Sequence, residues 1–242
     1  MRLALIYARL QTVELVRFPG FAIATLAFPA LLFVLFGLPR AEDHPEVLLA
    51  AYAAFSVLGV GFYQFGVSAA IERATPWALF LRTLPASAGV RLAGRVLSAF
   101  LFAAVAAGVL IAIALLTTSA SLTAGEWLRL AATLLLGGLP FVLLGTAIAY
   151  WLSPKTALPA ANILYMLFAY AGGLWTGPND LPHAVATLSP YVPTRQWGDL
   201  LWAAVGGTPL HASHWLALAA YAAIFAAIAA WGYRRDEGQR FH

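Results

Sequence analysis

The 242-residue sequence contains no cysteine and few charges, and each shortage excludes a class of protein. Without cysteine there is no disulfide framework, no thiolate nucleophile and no cysteine-ligated metal site. Charged residues make up 10% of the chain and apolar residues 62%, against about 25% and about 45–50% in soluble domains. The net charge of +4 is too small to indicate a nucleic-acid partner. This composition excludes a soluble globular domain.

Long stretches without any Asp, Glu, Lys or Arg divide the chain. A charge at the centre of a bilayer costs several kcal/mol, and roughly 20 apolar residues of helix cross its hydrocarbon core. The charge-free stretches long enough to do so are 18–39, 47–71, 96–125, 130–154, 156–179 and 200–233. We therefore predict an all-α integral membrane protein, with 1–242 forming a single transmembrane domain. Its six spans are predicted at about 18–38, 47–71, 96–118, 127–151, 157–174 and 214–233.

The distribution of basic residues predicts the orientation. Eleven Lys and Arg fall on the side that holds the N-terminus, and three, Arg40, Arg129 and Arg195, fall on the other side. Basic residues are enriched in cytoplasmic loops of membrane proteins. The count therefore predicts a multi-pass protein of the cytoplasmic membrane with both termini in the cytoplasm.

Residues 1–17 precede the first predicted span and contain an apolar stripe at helical spacing. Its members are Leu3, Ile6, Tyr7, Leu10 and Val13. Arg9 points away from this stripe, while Glu14 and Arg17 interrupt it and can pair with each other. The pattern predicts a helix along the inner membrane surface. Two interpretations stay open: a basic anchor for the first span, or a docking surface for a cytoplasmic partner.

The loop 72–95, between spans two and three, contains a second short amphipathic segment. Thr75 and Pro76 form a helix start, since the threonine can cap amides and proline suits the first helical position. Pro85 disfavours continuation beyond residue 84. Between them an aromatic and apolar ridge recurs at helical spacing, formed by Trp77, Phe80, Leu81 and Leu84. A helix this short is marginal alone and needs a membrane or a protein to pack against.

At this point the chain resembles a known family. An amphipathic N-terminal helix, Pro29 within Phe28-Pro29-Ala30-Leu31-Leu32 of the first span, the Glu72-Arg73 pair and the run Phe80-Leu81-Arg82-Thr83-Leu84-Pro85-Ala86-Ser87 are similar to the membrane subunit of a type-2 ABC transporter, the exporter permease class. The resemblance implies that the loop holds a coupling helix docked in a partner ATPase. The residues it assigns to ATPase coupling are Glu72, Arg73, Thr75, Trp77, Phe80, Leu81, Arg82 and Leu84.

The outer segment 175–213 connects spans five and six. It contains five prolines, and between them His183 to Leu188 and Thr194 to Val205 are predicted as short helices. The resemblance implies short re-entrant helices here, which would form an outer gate. Trp197 and Trp202 alternatively suit an ordinary aromatic belt at the membrane interface.

The polar residues inside the spans are few. Gln64, Asn162 and Tyr165 lie in spans two and five and are candidates for the substrate pathway, although such residues more often form hydrogen bonds between helices. No ionisable residue lies in the middle of a span, so a proton- or ion-coupled carrier is disfavoured. The histidines His211 and His214 are three apart but lack a third ligand in reach, and no metal site is predicted.

The source of energy must therefore lie in another subunit. The chain has no Gly-x-x-x-x-Gly-Lys-Ser/Thr phosphate loop, no Gly-x-Ser-x-Gly and no His-Glu-x-x-His motif, so neither an ATPase nor a hydrolase is indicated. We predict no cofactor in this chain and ATP with Mg on a partner ATP-binding-cassette subunit. The other partners predicted are membrane lipids and a second permease copy, identical or different.

The predicted function is outward movement of a hydrophobic small molecule, drug or lipid-like substrate. The apolar spans and short outer loops favour such a cargo, but polysaccharide exporters of the same family have similar permeases. A secondary transporter and a membrane scaffold without transport activity are the remaining alternatives. A scaffold would leave ATP hydrolysis independent of this chain.

Overall fold

The computed structural model describes residues 9, 13, 19–42, 44–75, 88–177 and 180–238, and all regular elements within them are helical. The described α-helices are α1 (Pro19–Leu32), α2 (Pro45–Val60), α3 (Ala69–Arg73), α4 (Ala88–Thr117), α5 (Ala124–Gly137), α6 (Leu139–Trp151), α7 (Pro154–Ala171), α8 (His183–Leu188), α9 (Pro193–Val205) and α10 (Ala212–Gly238). Two π-helical segments, Phe33–Gly37 and Gly61–Ser68, and two 3₁₀ turns, Leu38–Arg40 and Ser189–Tyr191, adjoin them.

Four helical stretches of the described chain are long and apolar enough to cross a membrane. They are Pro45–Arg73, Gly94–Thr117, Ala124–Trp151 and Ala212–Asp236, at the places of predicted spans two, three, four and six. The protein is therefore a multi-pass membrane protein. The stretch Thr25–Arg40 is shorter, and the 18 residues of α7 begin with Pro154 and Lys155, so spans one and five stay predictions.

Sequence signals explain where the fourth span begins and bends. Thr123 caps α5 in a reciprocal box, in which its hydroxyl accepts from the Glu126 amide while the Glu126 carboxylate accepts from the Thr123 amide. The helix is interrupted at Gly138, and Pro140 stands in the first turn of α6, where a missing N–H does no harm. The break is thus a junction between two helices of one span.

Span two forms the centre of the bundle. Tyr52, Phe55 and Leu58 are fully buried there, and α2 packs against α1, α4 and α9. The Phe55 ring stacks on the Tyr165 ring of α7 with centroids 4.4 Å apart, and it meets the Trp175 ring edge-on at 5.6 Å. Such aromatic pairs add about 0.5–1.5 kcal/mol each beyond the area they bury. The position of α7 is therefore fixed by ring contacts with span two.

A glycine seam joins span two to span four. The π-helical segment Gly61–Ser68 packs directly against α6, and a Cβ at Gly145 would stand 2.1 Å from the Gly61 carbonyl oxygen. A Cβ at Gly61 would in turn stand 3.2 Å from the Phe141 backbone. Small residues let membrane helices approach to backbone contact. The glycines therefore allow close packing between span two and span four.

The connection between α7 and α10 holds the helices α8 and α9. Trp197, which the sequence allowed as part of an aromatic belt, is instead completely buried. Its Nε1 donates to the Thr133 carbonyl at 2.9 Å, and its ring lies 5.2 Å from that of Phe141. The belt interpretation is therefore wrong for Trp197, because α9 packs into the bundle and its indole nitrogen finds a backbone partner there.

Candidate functional site

The exit of span two places two opposite charges next to each other, and each pairs with a different helix. Glu72 forms an ion pair with Arg95 of α4, and Arg73 forms an ion pair with Asp236 of α10. The side chains of all four residues are mostly shielded from solvent, with Glu72 the most exposed at 30%. We call this group of residues (Glu72, Arg73, Arg95 and Asp236) the exit cluster.

Arg73 of the exit cluster also contacts the end of α6. Besides its ion pair, its Nη2 donates to the Leu152 carbonyl at 3.2 Å. That carbonyl lies at the C-terminal end of α6, where helix geometry leaves acceptors without partners inside the helix. The guanidinium carbon also stands 5.6 Å from the Tyr150 ring centroid, a cation–π distance. One side chain thus touches both the end of α6 and the end of α10.

Glu72 closes the loop that carries the predicted coupling helix. Its pair with Arg95 connects two residues 23 positions apart, on either side of the segment 76–87. Thr75 lies beside it and donates its hydroxyl to the Glu72 carbonyl at 2.7 Å, which closes the end of α3. The other predicted coupling residues, Trp77, Phe80, Leu81, Arg82 and Leu84, lie outside the described residues. What the structure describes is the anchored base of that segment on both sides.

Aromatic side chains connect the ends of α6 and α10, the two helices that Arg73 contacts. The Trp151 indole donates to the Ile228 carbonyl of α10 at 2.9 Å and meets the Trp231 ring edge-on. Arg235 lies over the same indole, 5.4 Å from its centroid. Tyr150 and Tyr233 form a second edge-on pair. These contacts fix the end of α6 to the end of α10. The two helices that Arg73 contacts are therefore also packed against each other.

The three candidate pathway residues fall in different surroundings. Tyr165 is buried and donates to the Phe55 carbonyl at 3.1 Å, as an interhelical hydrogen bond would. Asn162 is exposed and accepts from the Tyr63 hydroxyl at 2.6 Å. Gln64 is buried and donates to Ser98 of α4 at 3.2 Å, while its Oε1 has no hydrogen-bond partner among the described residues. The structure thus brings Asn162 and Tyr63 to an open surface, and encloses Tyr165 and Gln64.

The remaining predicted sites are only partly described. Arg9 is helical and exposed, while Glu14 and Arg17 lie outside the described residues. The His211 and His214 rings stand 6.3 Å apart, and His214 is hydrogen-bonded to Gln196. Among the described residues no group of three or more His, Cys, Asp or Glu is placed to hold a metal ion.

The sequence analysis counted Arg95 among the basic residues that set the orientation and gave Asp236 no role, and it placed neither residue at the site. Arg95 is separated from Glu72 by 23 positions and Asp236 from Arg73 by 163, so no local periodicity connects them. The one available signal was charge complementarity between helix ends predicted on the same side of the membrane. Tyr150 and the Leu152 carbonyl gave no signal of this kind.

Two comparisons with known proteins bear on this site. Residues 4–203 match the sequence family described as "ABC-2 type transporter". The chain is also 28% identical over 190 residues to "Putative transport permease YvfS" of Bacillus subtilis (strain 168), an alignment that covers 78% of this chain and 77% of that protein. No solved structure matches the chain.

Proposed function

The chain belongs to the ABC-2 type transporter family, and we propose that it exports its substrate through movements driven at loop 72–95 by a partner ATPase. Family membership makes it a transport permease of an ABC system rather than a catalytic subunit. The observation that carries the proposal is the exit cluster. Glu72 and Arg73, the pair at which the family resemblance places the coupling loop, are both bound to other helices. Movement of the loop is therefore transmitted to α4, α6 and α10 as well as to span two.

The partner supplies the energy in this proposal. The chain contains no phosphate loop of its own, so ATP and Mg belong to an ATP-binding-cassette subunit. The segment 72–85, with Trp77, Phe80, Leu81 and Leu84 as its apolar ridge, docks in that subunit. Two permease copies with two ATPase subunits form the complete transporter, and the spans number six in each copy.

The orientation follows from the basic residues. Both termini and loop 72–95 lie in the cytoplasm, and the connection that contains α8 and α9 lies outside the cytoplasmic membrane. In this orientation α9, which packs into the bundle around Trp197, is re-entrant from the outer side. It forms the outer closure of the pathway.

The substrate is a hydrophobic small molecule, drug or lipid-like compound that moves outward. The support is the hydrogen-bonded pair of Tyr63 and Asn162, of which Asn162 lies on the helix α7 that also exposes Leu158, Ile163 and Leu167. Binding sites for small organic ligands are mostly apolar with a few placed polar groups. Asn162 and Tyr63 would supply that polar contact. Tyr165 and Gln64, which are buried in the bundle, would hold the neighbouring helices in place.

Co-purification tests the proposal. Tagged chain purified in mild detergent from its source cells is expected to retain an ATP-binding-cassette subunit and vanadate-sensitive ATP hydrolysis. The reconstituted complex is then exposed to a panel of amphipathic dyes and lipids, of which at least one should raise hydrolysis several-fold. Asn162→Ala should shift the concentration needed for that effect, while the matched control Leu216→Ala, on the exposed face of α10, should not. Purification without any ATPase would overturn the proposal.

A further inference from the structure

Asp236 is placed where neither topology nor helix electrostatics favours an acid. It follows two basic residues, Arg234 and Arg235, which are exposed and account for the basic end of the chain. Asp236 itself is only 8% exposed, although α10 is mostly open to its surroundings. A carboxylate near the C-terminus of a helix is also disfavoured by the helix dipole. A buried acid at this position therefore needs a cation, which Arg73 supplies.

Arg73 joins three helix ends that have no covalent connection near this point. It extends from the end of α3, reaches the carboxylate of Asp236 in α10, and donates to the Leu152 carbonyl at the end of α6. The Nε atom of Arg73 is buried without a hydrogen-bond partner among the described residues. The contacts of Arg73 with α6 and α10 therefore depend on its two terminal nitrogens. Loss of the Asp236 carboxylate would leave the shielded guanidinium without the negative charge that it is paired with among the described residues.

The two receiving helices are themselves packed without a gap. A Cβ at Gly232 of α10 would stand 2.6 Å from the Trp151 indole nitrogen and 3.0 Å from the Tyr150 Cβ. Because α6 and α10 fit this closely, displacement of one displaces the other. The ion pair between Arg73 and Asp236 therefore connects the exit of span two to α6 and α10, which are packed against each other.

From this geometry we infer that Asp236 is a positioning residue for coupling: through Arg73 it makes the inner end of α10 move with the exit of span two when the ATPase acts on loop 72–95. The inference rests on the proposed function, since it requires a force at that loop. It extends the coupling residues from the loop itself to the last turn of α10. Asp236 acts through Arg73 and has no contact with the ATPase in this inference.

Distance measurement in the intact complex tests the inference. Because the natural chain lacks cysteine, spin labels can be attached at Ala74 and Ala230, both exposed, by introducing two cysteines. The distance distribution is recorded in lipid vesicles without nucleotide and after trapping with ATP and vanadate. In the otherwise unmodified chain we expect one narrow distribution with the same maximum in both states. Asp236→Asn is expected to broaden the distribution and shift its maximum upon trapping, and Arg234→Gln, the matched control, to leave it unchanged.

Two further variants distinguish loss of the ion pair from misfolding of the protein. Arg73→Lys keeps the cation but cannot bind two acceptors in the same way, and should give an intermediate broadening. The exchange Arg73→Asp with Asp236→Arg restores the ion pair and should recover part of the narrow distribution. Unchanged distances in Asp236→Asn, with ATPase still bound, would overturn the inference alone. Failure of the unmodified chain to bind any ATPase would instead overturn the proposed function.

Discussion

At the level of single residues, Trp197 joins three helices through one indole ring. It extends from α9, donates to the Thr133 carbonyl of α5 and lies against the Phe141 ring of α6. Gly137 makes room for it, since a Cβ there would stand 2.2 Å from the indole Cδ1. The bundle thus holds α9 through a residue that sequence reasoning could equally have placed at the membrane interface.

Trp197→Ala should destabilise the protein by about 3–5 kcal/mol, because it leaves a cavity between α5, α6 and α9. Trp197→Phe keeps most of the volume and loses the hydrogen bond, for a cost of about 1 kcal/mol. Thermal unfolding in detergent measures both. Trp231→Ala is the control, since that ring is 65% exposed, and its unfolding temperature should fall much less. Equal losses for the two alanine variants would contradict the assigned role of Trp197.

The Glu72–Arg95 pair leads to a second prediction about single residues. Glu72→Gln should lower the free energy of unfolding of the permease by about 1–3 kcal/mol, because the pair is mostly shielded from solvent and the change removes the carboxylate that faces Arg95. Capture of the ATPase should also fall, because the base of loop 72–95 is no longer closed. The pull-down is repeated with Glu72→Arg combined with Arg95→Glu, which should restore part of the capture. Full capture by Glu72→Gln alone would show that the charge serves topology only.

At the level of elements, the contact between span two and α6 depends on the absence of side chains. Gly145→Ala would place a methyl group against the Gly61 carbonyl oxygen, and two backbones must separate to admit it. We expect a loss of about 1–3 kcal/mol, typical of overpacked sites. Gly108→Ala in α4 is the matched control, because a Cβ there meets nothing within 4 Å. Its unfolding temperature should stay level or rise, and a similar drop in both variants would argue against the seam.

The short coupling segment provides the second prediction about elements. The double variant Trp77→Ala with Phe80→Ala removes the aromatic ridge that the sequence predicts on this segment. We expect an unchanged unfolding temperature and elution volume, with substrate-stimulated ATP hydrolysis reduced to the unstimulated rate. Normal stimulation in the double variant would show that the ridge does not couple the two subunits.

The sequence predicted elements better than contacts. Charge-free length located spans two, three, four and six, because the bilayer imposes a minimum apolar length on each span. The two π-helical segments were not predicted, since no composition signal separates them from α-helix. The partners of Glu72 and Arg73 were also missed, because Arg95 and Asp236 are brought close only by the tertiary packing of helix ends.

At the level of the whole molecule, the predicted orientation of the protein in the membrane can be tested by chemical labelling of introduced cysteines. Single cysteines are introduced at Asn179 and at Gln239 in the natural cysteine-free chain. A membrane-impermeant maleimide added to intact cells should modify the first and reach the second only after permeabilisation. This outcome follows from the excess of basic residues on one side of the membrane. The reverse pattern would place loop 72–95 outside and remove the basis for ATPase coupling.

The enclosure of Trp197 also has a spectroscopic consequence. In a variant with this residue as the single tryptophan, the indole is shielded from water, so its emission should be blue-shifted and resistant to iodide. The same shielding keeps brominated lipid tails from quenching it. Any step of the transport cycle that draws α9 out of the bundle would then appear as a red shift of the emission and as new quenching by iodide or brominated lipid.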